Sequence, residues 1–248
     1  MNVQFGTGVL SAIPNAGNLA ANPSPQNVGI LQDAQIDFAG DIKELFGQSQ
    51  MPVSTARGKL KVTGKAKLAL LDPGMLNQIY FGQAQSTGVN RFVYNESHVF
   101  GSVISTVPVT NLATFNTDYG VIGGTTGRQF IKVLPAATPL PGQYKNTGGT
   151  YTFAAAETEL SVLISYTWTD VTTGTTITLN NQLMGYAPYC QMILYNGFRN
   201  ELFAIEMFSC VLGKISLPTK QEDYWIMDID WTCNVNAAGI LGKIYADF

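Results

Sequence analysis

The stretch ARGKLKVTGKAKLAL, residues 56–70, decides the fold. Leu60, Val62, Ala66, Leu68 and Leu70 share one parity, and Arg57, Lys59, Lys61, Lys65 and Lys67 share the other. Side chains of a strand alternate between faces, so this pattern predicts one apolar face and one row of positive charge. Upstream, Val28, Ile30, Ala34, Ile36 and Phe38 alternate with Asp33, Gln35 and Asp37, the signature of a second half-buried strand. The connection over 40–52 is predicted to hold one helical turn at 41–46 within a projecting loop at about 40–55, and long loops of this kind often carry function.

Further along, Asp72 followed by Pro73 is a helix start. Met75, Leu76, Ile79 and Tyr80 supply the 3.6-residue period and Gly82 the stop. The remaining pattern is strands: 99–109, 129–134, a hairpin of 143–145 with 150–153 about the turn 146–149, then 161–169, 176–179, 211–217 and 227–235. Residues 202–212 are apolar on both parities and fit a buried strand or a buried helix. Residues 1–27, rich in Asn, Ala, Gly and Pro, read as an extended arm, and 28–248 as a single domain. About ten strands and one short flanking helix make the expected fold class all-β, a sandwich or barrel.

Only 12% of the 248 residues are charged while 46% are hydrophobic, against about 25% charged in an ordinary domain. That excludes disorder, and a net charge of −3 argues against a dedicated nucleic-acid binder. A surface so poor in charge is expected to be covered, most simply by further copies of the chain. The first basic residue is Lys43, so no basic leader precedes an export signal, and 202–217, interrupted by Glu206 and Lys214, is too short and polar to span a bilayer. A soluble protein follows as the expectation. Cys190, Cys210 and Cys233 lack metal spacing and lie in apolar segments, which predicts buried free thiols in a reducing compartment.

Catalytic chemistry is not expected. His98 is the single histidine and has no nucleophile elbow or second metal ligand beside it. The glycines of 120–127 lack the Lys-Ser or Lys-Thr of a phosphate loop. Glu157 with Glu159, Glu222 with Asp223 and Asp228 with Asp230 are paired along single strands or turns, whereas glycoside hydrolysis takes its two carboxylates from opposite sides of a cleft. Trp168, Trp225 and Trp231 are expected in the core rather than as sugar-stacking surfaces. No cofactor and no metal are expected. The basic row of 57–67 and the acids of 222–230 are rows of opposite sign, either simply solvated or meeting across subunit contacts, where such rows fix register.

The segments ARGKLKVTGKAKLA (56–69), LNQIYFG (76–82), TTITLNNQLMGYAP (175–188), LGKISLPTKQEDYWIMDIDW (212–231) and AAGILGKI (237–244) resemble the major tail tube protein of long-tailed, siphovirus-type bacteriophages. The resemblance runs in this order over most of 28–244. It implies a β-sandwich subunit with a flanking helix on the outside of an inner sheet that neighbouring copies complete. Hexameric rings would stack into a tube, bounded by other tail proteins at its ends, through which double-stranded DNA passes without specific binding. The virion tail is then the location, with synthesis in the host cytoplasm and no membrane binding by the monomer. Under it, Arg57, Lys59, Lys61, Lys65 and Lys67 are candidate interface residues paired with acids of the same or a neighbouring subunit. Phe46, Gly47, Gln48, Met51 and Pro52 are candidates for reaching the next ring or subunit. Each basic contact to phosphate would hold DNA back, so a neutral or acidic bore is expected, with Asp228, Asp230, Ser161, Ser165 and Thr167 as candidate lining. The competing readings are another virion β protein, such as a capsid decoration or tail fibre, and a carbohydrate-binding or carbohydrate-active sandwich.

Overall fold

The computed structural model describes residues 6–15, 24–69, 72–100, 106–159, 161–199, 201–219 and 221–247. Residues 1–5 and 16–23 of the expected arm, Leu70, and the 101–105 part of the expected strand 99–109 lie outside those residues. The protein is mainly β. In chain order its elements are β1 (Val9–Pro14), β2 (Gln26–Asn27), β3 (Leu31–Phe46), β4 (Pro52–Leu68), helix α1 (Pro73–Leu76), β5 (Gln85–Val99), β6 (Thr106–Pro108), β7 (Phe115–Gly123), β8 (Ile131–Lys132), β9 (Gln143–Thr147), β10 (Thr150–Phe153), β11 (Ser161–Ile177), β12 (Cys190–Phe198), β13 (Glu201–Ser216), β14 (Met227–Asn234) and β15 (Gly242–Asp247). Where one domain over 28–248 was expected, the chain divides into two compact units, Met1–Ala84 with Ile177–Phe248, and Gln85–Thr176.

The first unit is a sheet in the order β2-β1-β12-β13-β14-β4-β3, with β15 also paired to β13. Its apolar face carries Leu10, Ala12, Val62, Ala66, Leu68, Met192, Met207, Leu212, Ile229 and Trp231, packed with Met75, Leu76 and Ile79 of the helix. The helix begins as the sequence predicts: Asp72 Oδ1 accepts from the amides of Gly74 at 2.8 Å and Met75 at 3.3 Å. Beyond Leu76 it widens into a π-helical turn over Asn77–Phe81, closed by Gly82 at φ 59°. Buried Asn77 makes that ending self-sufficient, donating from Nδ2 to the Gln83 carbonyl at 2.7 Å and accepting from the Gln83 amide at 3.0 Å.

Two expectations give way here, and one open alternative is decided. Within the expected arm, Val9–Pro14 is a strand between β2 and β12, with Leu10 and Ala12 fully buried. Its alternation is too short to stand out among Asn, Gly and Pro. Residues 41–46 are not a helical turn but the outer half of β3, paired to β4 down to Phe46 and Pro52. A register shift between Leu31 and Asp33 opposes the extra residue Gln32 to the Leu68–Lys67 step, so Leu31 turns to the core and Ile30 stays exposed. Residues 202–212 resolve as strand β13, central between β12 on one side and β14 and β15 on the other. A bulge there places Met207 opposite Met192 and Cys210 opposite Cys190. Buried positions therefore fall at 204, 207, 210 and 212, which hides the two-residue period.

The second unit is a sandwich of two sheets, β6-β10-β9-β8 and β5-β11-β7. Both contribute to one core of Val107, Val121, Tyr144, Tyr151, Phe153, Val162, Ile164 and Tyr166. The expected hairpin is β9 with β10: Thr147 faces Thr150 across Gly148 and Gly149, both at positive φ, the two-residue turn whose twist matches its strands.

Candidate functional site

Two surfaces of the first unit gather the residues singled out in the sequence. The first is the polar face of the sheet, opposite the helix. Register across β3, β4, β14 and β13 sets Asp33 beside Lys67, then Asp228, then Ser216; the next row on the same face is Gln35, Lys65, Asp230 and Lys214. Up to the register shift beyond Leu60, where Lys59 and Asp41 fall, Lys61, Lys65, Lys67 and Lys214 balance Asp33, Asp37, Asp228 and Asp230 on this face. Opposite charges directly across a strand pair contribute a few tenths of a kcal/mol each. Among the described residues, none of these carboxylates and ammonium groups closes into an ion pair within 4 Å. The face is thus neutral overall but finely alternating in sign.

This corrects the separation of a basic interface row from an acidic lining row, because the two stand side by side on one face. The basic row itself is also broken. Between Gly40–Leu60 and Ile42–Arg57 the register shifts, so Arg57 turns to the other face, where its stem covers Gly40. A Cβ on Gly40 would meet Arg57 Cγ and Cδ at 3.2 Å. The bulge is a two-chain feature of the pairing and leaves no mark in the alternation of one strand.

The second surface is a ribbon. The β4 pairing with β14 ends at Val62 opposite Cys233, and from there to Pro52 the strand pairs only with β3. Every residue from Phe38 to Lys61 is exposed. Besides the charged Asp41, Lys43, Glu44, Arg57, Lys59 and Lys61 it carries exposed Phe38, Ile42, Leu45, Phe46, Val53 and Leu60, with Met51 at its tip 77% exposed. The candidate residues Phe46, Gly47, Gln48, Met51 and Pro52 therefore cluster at the end of a hairpin. An isolated two-stranded hairpin is marginal in water, and a contiguous exposed apolar patch marks a contact surface. The outer edge of β3 is the rim of its sheet, sixteen residues long and free of proline, a template for pairing with another chain.

The other lining candidates belong to the second unit. Ser165 and Thr167 are buried, at 7% and 8% exposure, and Ser161 is half-buried. Ser165 Oγ accepts from the Asn95 amide at 3.1 Å. Asp228 and Asp230 lie in the first unit. Strand alternation alone could not distinguish a water-facing row from one covered by neighbouring side chains.

Of the three carboxylate pairs, Glu157 and Glu159 are engaged by hydrogen bonds within their own unit. Glu157 is held by the amides of Gly142, Thr158 and Glu159 and by Arg128, and Glu159 by the Thr125 amide and the Thr126 hydroxyl. His98 Nε2 lies 2.8 Å from Glu96 Oε1. Buried Asp118, absent from the sequence reading, accepts from Tyr144 and Tyr151 at 2.9 Å each and pairs with Lys132 at 2.8 Å. Burial opposes its ionisation, but Lys132, the Gly120 amide and the two hydroxyls hold its carboxyl below the usual range. Of the tryptophans, Trp231 is buried, Trp168 half-buried, and Trp225 exposed rather than in the core. Among the described residues no cluster of three His, Cys, Asp or Glu side chains could hold a metal ion, and no helix is long and apolar enough to cross a membrane. No protein-family model matches the chain, and no curated protein matches it.

Proposed function

We propose that the chain is a structural subunit that joins copies of itself into rings stacked as a phage tail tube, a conduit for double-stranded DNA. The observation that carries this reading is the exposed ribbon of β3 and β4, whose apolar tip has nothing of its own unit to pack on. The bare edge of β3 supports completion of the sheet by a neighbour. The balanced polar face, on the side away from the helix, is the part of the first unit suited to a bore: phosphate meets no uncompensated basic row. Contacts of hairpin to neighbour are heterologous and extend into a filament when they do not close on themselves. Deleting Gly47–Gln50 tests this. A folded monomer that no longer forms rings or tubes is expected, and unaltered tubes in electron micrographs would refute it.

A second reading, carbohydrate binding, is favoured by one feature of the second unit. Phe92, Tyr94 and Tyr119 are exposed and clustered, with Phe92 5.1 Å from Tyr119 and 6.2 Å from Tyr94 between ring centroids. Such rings can stack on sugar faces. Binding of an oligosaccharide that Tyr94→Ala abolishes would favour it, and its absence across a glycan panel would remove it.

A further inference from the structure

The three cysteines form one row across the sheet of the first unit. Cys190 on β12 faces Cys210 on β13, and Cys210 faces Cys233 on β14. All are free and buried, with Cys233 the most accessible at 8%. Cys210 Sγ lies 3.5 Å from Cys233 Sγ, and Cys233 Sγ lies 3.0 Å from Met207 Sδ. Cys190 turns elsewhere, its Sγ 3.7 Å from the Cys210 carbonyl. We propose that Cys210 and Cys233 are a latent disulfide pair that a hydroperoxide closes, stapling the central strands β13 and β14.

Directly opposed residues of an antiparallel pair have Cα atoms about 4.5–5.5 Å apart, inside the disulfide range. The sulfurs must approach from 3.5 Å to about 2.05 Å, a side-chain rotation rather than a backbone movement. The roles within the pair are distinct. The Cys210 thiol donates toward Cys233, and that bond, together with burial, raises the Cys210 thiol while it lowers that of Cys233. Cys190 is the inert member because its sulfur points at the Cys210 carbonyl and not at another thiol, and burial raises it as well. Cys233 thiolate attacks a peroxide oxygen, the O–O bond breaks, and the departing oxygen leaves as water or alcohol, giving a sulfenic acid. The Cys210 sulfur then attacks the Cys233 sulfur. The S–O bond breaks and water leaves with the Cys210 proton, so two thiols are oxidised and one peroxide is reduced by two electrons.

The link would close a loop across 211–232 and constrain the unfolded chain. It is independent of the tube reading, since it rests on the sheet alone. The test treats the folded full-length protein with hydrogen peroxide, alkylates it in denaturant and maps the peptides by mass spectrometry. Titratable thiols are expected to fall from three to one. The peptides of Cys210 and Cys233 should be joined with loss of two hydrogens, dithiothreitol should restore them, and the thermal midpoint should rise by about 5 °C. Cys190→Ser should form the same link, since Cys210 and Cys233 alone make it. Three free thiols after treatment, a link through Cys190, or a link that forms only in denaturant would each overturn the proposal.

Discussion

The two units handle their polar and apolar groups in opposite ways. In Gln85–Thr176, Glu96, Asp118, Glu157, Glu159 and Asp170 each accept several hydrogen bonds from within the unit. Its buried carboxylates are thus satisfied from within, while Val99, Ile131, Leu134, Leu140 and Val171 join its exposed aromatics on the surface. In the unit built from the two ends of the chain, charged side chains are ranged in register on an open face, and a ribbon with seven large apolar side chains stands clear of the sheet. Both units expose large apolar side chains, but the difference is one of arrangement: in the first unit seven of them stand on a single hairpin, while in the second they are spread over several strands and loops.

The sharpest way to break this comparison is to damage each unit from within. Asp118→Asn turns one acceptor oxygen into an amide donor, so one of the two tyrosine hydroxyls loses its acceptor and Lys132 loses its counter-charge. It should lower the stability of the second unit by about 3 kcal/mol in chemical denaturation while leaving self-association intact. Gly64→Ala should cost the first unit about 2 kcal/mol by overpacking, since a Cβ there would fall on the Trp231 ring; an unchanged unfolding midpoint would contradict that packing.

Acid should separate the units next. For Glu96, Asp118 and Glu157 burial raises the carboxyl, yet hydrogen bonds outweigh it, while Glu159 is lowered first by Thr126 and Asp170 first by Thr173. All five are held below their ordinary values. Their stabilisation is therefore present above the unfolded values of about 4 and lost as pH falls through the folded ones. Burial, then Asp118, raises Tyr144 and Tyr151; their contribution is present below about pH 10 and lost as pH rises. Tryptophan and tyrosine fluorescence through an acid titration should show the second unit unfolding first, and simultaneous loss of both units would blur the distinction.

Smaller effects probe the open surfaces. Lys67→Glu would set a third acid between Asp33 and Asp228, and should cost about 1 kcal/mol at low salt and less at high salt. Met51→Lys with Val53→Lys should change monomer stability by less than about 0.5 kcal/mol, yet abolish association if the ribbon is the contact. A marked loss of monomer stability would show that the ribbon packs on its own chain.

Much of this was legible in the sequence because the relevant signals are local. The Asp72-Pro73 start, the Gly82 stop, the turn at Gly148 and Gly149, and the alternations of β4 and β14 each depend on a few neighbouring residues. What was not legible depends on pairing. The bulges at Gln32 and beside Arg57 change faces without changing composition. The meeting of Lys65 and Lys67 with Asp228 and Asp230 follows from β4 lying beside β14, a contact across more than half the chain. The three-thiol row likewise exists only once β12, β13 and β14 are in register. Residues 41–46 read as a helical turn because Glu44, Leu45 and Phe46 carry no strand alternation where neither face is buried.

The central claim is that the first unit is completed by identical copies. Negative-stain electron microscopy of the full-length protein over rising concentration tests it most directly. Rings or tubes with a central bore, lost in the Gly47–Gln50 deletion, are the predicted result. Isolated particles at every concentration, for the intact chain as for the deletion, would contradict it.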